Sequence, residues 1–149
     1  MRTVATFKSD AFNKSEKKEY FINPTCFGDD LAKWLIKRLR EASVETDGEP
    51  GQEDFGWYFD FSVSEGKHCC VLGYRPGDND DLDGEWIAWL ERSRGFIGSL
   101  LGRRKRGISQ SAVAAIHAAL SDAPEIRTIR WHLKDDFDAN RQDLASESP

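Results

Sequence analysis

The segment from residue 95 to residue 107 contains apolar and basic side chains that could form a binding surface. An apolar run is followed by four consecutive cations, and the residues concerned are Phe96, Ile97, Leu100, Leu101, Arg103, Arg104, Lys105 and Arg106. An apolar centre beside a charged rim is typical of surfaces that bind other proteins. We therefore predict that this segment is a protein interface, either for an unknown protein partner or for a second copy of the chain.

The four cations could instead bind phosphate, on nucleic acid or on an anionic surface. The glycine spacing before them is too short for a phosphate-binding P-loop, and no Lys-Ser/Thr pair follows. No alternating aromatic residues nearby indicate a platform for stacking bases. The net charge of −5 also argues against general affinity for nucleic acid, so phosphate binding through Arg103–Arg106 remains an alternative.

A second set of polar residues falls on two strands that the sequence predicts to be neighbours. The set consists of Tyr58, Asp60, His68 and Arg75. Alternation along the first strand places Tyr58 and Asp60 on the face opposite Trp57 and Phe59. The four side chains could line a ligand site or the active site of a small enzyme, and this is the second alternative.

The histidines and cysteines show no spacing typical of a catalytic or metal site; they are His68, His117 and His132, and Cys26, Cys69 and Cys70. A Cys-His pair between Cys69 or Cys70 and His132 could form only through the fold. Residues 79–84 match the first half of a calcium-binding EF-hand loop, but Leu90 stands where that loop needs a glutamate. We predict no catalytic residue, no metal and no cofactor.

The composition predicts one folded domain. The chain has 149 residues, of which 39% are hydrophobic, with five Trp and nine Phe to fill a core. The odd number of cysteines gives no disulfide framework. No apolar stretch has the length of a signal peptide or of a membrane span, so we expect a cytoplasmic protein without a membrane span. The domain is predicted over 1–134, with a polar, disordered tail over 135–149.

Hydrophobic periodicity predicts two helices and five strands. In the first helix, over 28–42, Leu31, Trp34, Leu35 and Leu39 form one apolar stripe. A second helix runs from a Ser109 cap to about residue 120. The strands are predicted over 3–8, 55–63, 68–74, 85–92 and 125–133.

This order, β-α-β-β-β-α-β, predicts an α+β fold. Three consecutive strands joined by short turns favour an antiparallel meander. The expected architecture is a two-layer sandwich, with an antiparallel sheet of about five strands and two helices on one face. It is similar to small bacterial α+β proteins, but no motif assigns a function. We predict a small, non-enzymatic binding or regulatory protein, of which an immunity-type protein is one concrete form.

Overall fold

The computed structural model describes residues 1–77, 84–93 and 107–149. The strands are β1 (Val4–Lys8), β2 (Glu45–Thr46), β3 (Gly51–Glu53), β4 (Gly56–Val63), β5 (Gly66–Arg75), β6 (Glu85–Arg92) and β7 (Arg127–His132). The helices are α1 (Asp29–Glu41), α2 (Gln110–Ser121) and α3 (Lys134–Asp138), with a short 3₁₀ helix at Gln142–Leu144.

All seven strands join one antiparallel sheet. Its order is β2-β4-β5-β6-β1-β7, and β3 also pairs with β4. The meander β4-β5-β6 forms the middle of the sheet, as the short turns predict. β1, the first strand in the chain, lies between β6 and β7.

The two longer helices begin and end where their sequences predict. Asp29 and Asp30 lie in the first turn of α1, and Arg38 and Arg40 lie in its last turn, so both ends complement the helix dipole. Ser109 caps α2, because its Oγ accepts a hydrogen bond from the backbone N–H of Ala112 at 3.3 Å.

One hydrophobic core lies between these helices and one face of the sheet. Each helix contributes a buried stripe, and the sheet contributes alternate residues of its strands, including Phe7, Phe59, Phe61, Leu72, Trp86 and Trp131. Burial of one such large side chain stabilises the fold by roughly 1.5–3 kcal/mol. We call this side the core face and the opposite side the open face.

The predicted α+β class with an antiparallel sheet is confirmed, but two of its details differ. In the part of the chain that the structure describes, the sheet has seven strands rather than about five. The two additional strands, β2 and β3, lie in and beside the polar loop predicted over 46–54. These strands have only two and three residues, and their Gly, Glu and Gln residues give no strand pattern. A third helix, α3, follows β7 and contacts the open face.

The segment after β7, predicted as a disordered tail, has local structure. The Phe137 ring of α3 lies 5.5 Å from the ring of His132, and Ser146 forms a β-bridge with Trp131. Lys134 pairs with Asp138 one helical turn later, with 2.6 Å between Nζ and Oδ2. The polar composition of this segment does not predict these contacts, because a single half-buried aromatic ring, Phe137, gives no periodicity.

Candidate functional site

The open face gathers a mixed set of side chains because strand residues alternate between the two faces of a sheet. Pairing of β4, β5 and β6 places Tyr58, Val71 and Trp89 side by side in one row across the strands. The next row contains Asp60, Cys69 and Glu91. An aromatic row therefore lies beside an acidic one.

These two rows form the floor of a groove of about 650 Å³, which we call the acidic aromatic groove. Its aromatic and acidic lining residues are Phe55, Tyr58, Trp89, Glu53, Asp60 and Glu91. The rings of Phe55 and Trp89 lie 6.4 Å apart, and Phe55 is 59% exposed. The volume is within the range of ligand sites, and an aromatic ring this exposed is available for contact with a ligand.

The charge of the groove is negative. Asp60 Oδ2 accepts a hydrogen bond from Ser93 Oγ at 2.7 Å and pairs with Lys67 Nζ at 3.3 Å. The Asp60 carboxylate also raises the pKa of Lys67. Glu53 and Glu91 have no basic partner among the salt bridges of the described residues.

Among the described residues that line the groove, the one arginine, Arg92, makes its hydrogen bonds outside the groove. Arg92 Nη2 donates a hydrogen bond to the backbone oxygen of Glu65 at 2.7 Å, and Nη1 lies 3.2 Å from Nε2 of His68. The surrounding sequence adds more negative charge, because residues 45–60 contain six carboxylates and no Lys or Arg. The groove therefore suits a cationic group, which carboxylates attract and aromatic faces stabilise.

Cys69, in the acidic row, is not an activated nucleophile. Burial, together with the Asp60 carboxylate, raises its pKa to about 12. Cys70 is buried on the core face, where burial also raises its pKa. Strands β6 and β1 lie between β5, which carries both cysteines, and β7, which carries His132. Neither cysteine can therefore form the catalytic pair with His132 that the sequence left open.

We expect Cys69 to react slowly with iodoacetamide at pH 8. A pKa of about 12 instead of 9.0 reduces the thiolate fraction about a thousandfold, and only the thiolate attacks. Mass spectrometry of tryptic peptides measures the labelling rate in the native protein and in urea. Asp60→Asn should accelerate labelling because it removes a neighbouring negative charge. Labelling as fast as in urea would contradict a raised pKa for this thiol in the folded protein.

The structure brings together two of the four residues predicted on the polar face. Tyr58 and Asp60 line the acidic aromatic groove. Arg75 is on the same face but lines a separate hollow, where it pairs with Glu85.

The placement of His68 is corrected. Its side chain is fully buried on the core face, with its ring 5.8 Å from the ring of Phe61. Its Nδ1 lies 2.9 Å from the oxygen of Gly66, and its Nε2 accepts from the backbone N–H of Ser109 at 3.2 Å. The register pairs His68 with Phe61, so both side chains point into the core.

The residues predicted as the main interface lie outside the described residues. They are Phe96, Ile97, Leu100, Leu101, Arg103, Arg104, Lys105 and Arg106. Sequence reasoning also missed Trp89, Phe55 and Glu91 as members of a site. The apolar residues on both faces of β6 indicated a central strand, and only the register shows that Trp89 lies in line with Tyr58.

Comparisons with protein families, with curated proteins and with solved structures find no match to this chain. Within residues 1–77, 84–93 and 107–149, no group of three or more His, Cys, Asp or Glu side chains is arranged to hold a metal ion. No helix in the same ranges is long and apolar enough to cross a membrane. Fold and groove together define a class: an α+β protein with an acidic, aromatic groove on the open face of its sheet.

Proposed function

We propose that this chain is a small, non-enzymatic binding protein that holds a basic region of a protein partner in the acidic aromatic groove. The observation that carries the proposal is the row of Tyr58, Val71 and Trp89 beside the carboxylates of Asp60 and Glu91. An Arg or Lys side chain can stack on the rings while it donates hydrogen bonds to the carboxylates.

A protein partner is favoured by the way the acidic surface extends beyond the groove. Asp47 Oδ2 accepts a hydrogen bond from the Asp60 backbone N–H at 2.9 Å, which joins the β2 edge to the groove. The acidic stretch 45–60 contains β2, β3 and most of β4, so negative charge spreads along this edge of the sheet. An extended charged surface accelerates the encounter with a partner of opposite charge.

An immunity-type or regulatory protein, acting in the cytoplasm, is the concrete form of this proposal. Such a protein would block a basic partner by covering its positively charged surface. The sequence predicts the segment 95–107 as the protein interface, and we propose that it adds apolar contacts to the same partner. The alternative, binding of a small organic cation, rests on the groove volume of about 650 Å³.

A short Arg-rich peptide tests the proposal by isothermal titration. We expect micromolar binding at low salt, weakened at least tenfold in the double variant Glu53→Gln/Glu91→Gln, because two attractive charges are lost. The matched control Glu41→Gln/Asp122→Asn removes the same total charge from the helix side of the protein and should change binding little.

Three results distinguish the possibilities. An equal loss in both double variants would show that net charge alone attracts the peptide, and the groove proposal would fail. Tetramethylammonium that competes fully at millimolar concentration would favour the small-cation alternative. Absence of any peptide binding at low salt would overturn binding of a basic region.

A further inference from the structure

A buried histidine joins strand β5 to the start of helix α2. The side chain of His68 is fully buried, beside the ring of Phe61 in the core. The backbone N–H of Ser109, the residue that caps α2, donates to Nε2 of His68 at 3.2 Å, and the Ser109 hydroxyl lies at the same distance. The contact joins residues 41 positions apart in the chain, so it fastens the helix to the sheet.

The partners of the ring determine which of its nitrogens carries the hydrogen. The backbone oxygen of Gly66, 2.9 Å from Nδ1, can only accept a hydrogen bond, so Nδ1 is the donor. Nε2 therefore has the free lone pair, which faces two donors. They are the N–H of Ser109 and Nη1 of Arg92, which lies 3.2 Å from Nε2. These contacts hold the neutral ring in one tautomer.

A second proton on this ring would disrupt the same contacts. Its hydrogen would lie on Nε2, opposite two N–H groups that need an acceptor. The guanidinium of Arg92 is fixed by a hydrogen bond from Nη2 to the backbone oxygen of Glu65 at 2.7 Å, so its positive charge stays beside the ring. Burial lowers the pKa of His68, and the charge of Arg92 lowers it further. The hydrogen bond to Gly66 and the Glu65 carboxylate oppose this shift without reversing it.

The elements that contact His68 bring little negative charge to its ring. Strand β4 contributes Phe61 at the paired position, and α2 contributes the hydroxyl of Ser109, which lies 3.4 Å from that of Ser111. Lys67 and Cys69, the neighbours of His68 along β5, lie on the open face because strand residues alternate. Nothing in these contacts stabilises an imidazolium.

Glu65, in the turn before β5, is the carboxylate that acts on the pKa of His68. It is exposed and accepts hydrogen bonds from the hydroxyls of Ser111 and Ser64. These bonds, that from Ser111 first, lower the pKa of Glu65, so its carboxylate stays ionised in mildly acidic solution. Water and salt screen an exposed charge, so Glu65 offsets the charge of an imidazolium only weakly.

We propose that His68 is a pH-sensitive joint, in which protonation of the ring in mildly acidic solution releases the start of α2 from β5. Once released, the Ser109 amide has no acceptor on His68 and exchanges with solvent. An exposed histidine has a pKa of about 6.5, and the folded ring takes up its proton only at lower pH. The closed joint is therefore fully stable above pH 6.5 and weakens as the pH falls below that value.

Amide hydrogen exchange of the full chain, measured by NMR, tests this joint. The rate of each amide is divided by that of an unstructured peptide at the same pH, which cancels the ordinary pH dependence of exchange. We expect the protection of the Ser109 amide to fall roughly tenfold between pH 7.5 and pH 5.5, because protonation favours the open state by about tenfold for each pH unit below the pKa of the exposed ring.

Two histidine variants separate the joint from a general effect of acid. His68→Gln keeps a side-chain acceptor for Ser109 but takes up no proton in this range, so the protection should not change with pH. His132→Gln is the matched control. His132 is also buried, at 2% exposure, and its pKa is also lowered by burial, but its Nε2 lies 2.9 Å from Thr6 Oγ1 on β1. The fall at Ser109 should persist in this variant.

Imidazole ¹⁵N spectra of the histidine-labelled wild-type chain provide a measurement that needs no variant. We expect the hydrogen of His68 on Nδ1 at pH 7.5 and a titration midpoint below 6.5. A midpoint at or above 6.5, constant protection of Ser109, or an equal fall in His68→Gln would each overturn the proposal. None of these results bears on the acidic aromatic groove, because the peptide titration tests different residues.

Discussion

Replacement of Trp86 by alanine is expected to destabilise the fold by about 3–5 kcal/mol, the range for loss of a large buried aromatic side chain. Trp86 is fully buried on the core face, and its ring lies 4.8 Å from that of Tyr74 and 5.9 Å from that of Phe12. Its Nε1 also donates a hydrogen bond to the backbone oxygen of Ser9 at 3.3 Å. Urea unfolding followed by circular dichroism measures the loss without depending on tryptophan fluorescence.

Trp89→Ala is the matched control for this prediction, because Trp89 lies on the same strand but on the open face. Its ring is half-buried and contacts Phe55 in the acidic aromatic groove. We expect a cost of only about 1 kcal/mol, since a partly exposed ring leaves a smaller cavity. The same change should weaken the Arg-rich peptide about tenfold, because it removes the largest aromatic surface of the groove.

The pair of tryptophan variants therefore separates stability from binding. A similar loss of stability in both would mean that the two faces of β6 are equally packed. In that case the division into a core face and an open face would be wrong. Normal peptide binding by Trp89→Ala would exclude its ring from the binding surface, whatever its stability.

Gly56→Ala is expected to cost at least about 3 kcal/mol, because it combines backbone strain with a collision. Gly56 has φ +152°, which L residues rarely adopt, and an added Cβ would lie 2.3 Å from the backbone oxygen of Leu72. The oxygen belongs to the neighbouring strand β5, so relief of the collision would require β4 and β5 to separate at this point.

Gly48→Ala provides the comparison for this substitution. A Cβ at Gly48 would contact only Nη2 of Arg40, at 4.0 Å. We expect a change within about 1 kcal/mol in either direction. Melting temperatures of the two variants give the test, and equal values for them would contradict the close approach of β4 and β5 at Gly56.

Much of the fold could be predicted from local patterns. The stripe of Leu31, Leu35 and Leu39 predicted α1, and the alternation of Trp57, Phe59 and Phe61 predicted β4. These patterns are local because a helix or strand that buries one side must repeat its apolar residues with the period of its own backbone. The short edge strands β2 and β3 could not be predicted, because main-chain hydrogen bonds to β4 define them.

The candidate site was predictable only in part. Tyr58 and Asp60 belong to the groove, as the alternation of β4 predicted, whereas His68 belongs to the core. The difference is one of register. Strand β5 begins at Gly66, which pairs with Val63, and this register pairs His68 with Phe61. The side chain of His68 therefore lies on the core face, as that of Phe61 does. A change of one residue in the register moves every side chain of a strand to the other face of the sheet. The polar sequence of the turn between β4 and β5 does not determine that register.

The sequence by itself determined the two longer helices, the five longer strands, most of the residues that fill the core, and the run of carboxylates over 45–60. Each of these properties depends on side chains that are near one another along the chain. Only the tertiary structure decided that Trp89 lies beside Tyr58, that Glu91 lies in line with Asp60, and that the segment after β7 covers His132. Those relations join residues far apart in sequence, and they depend on strand order and register, which follow from packing of the whole sheet.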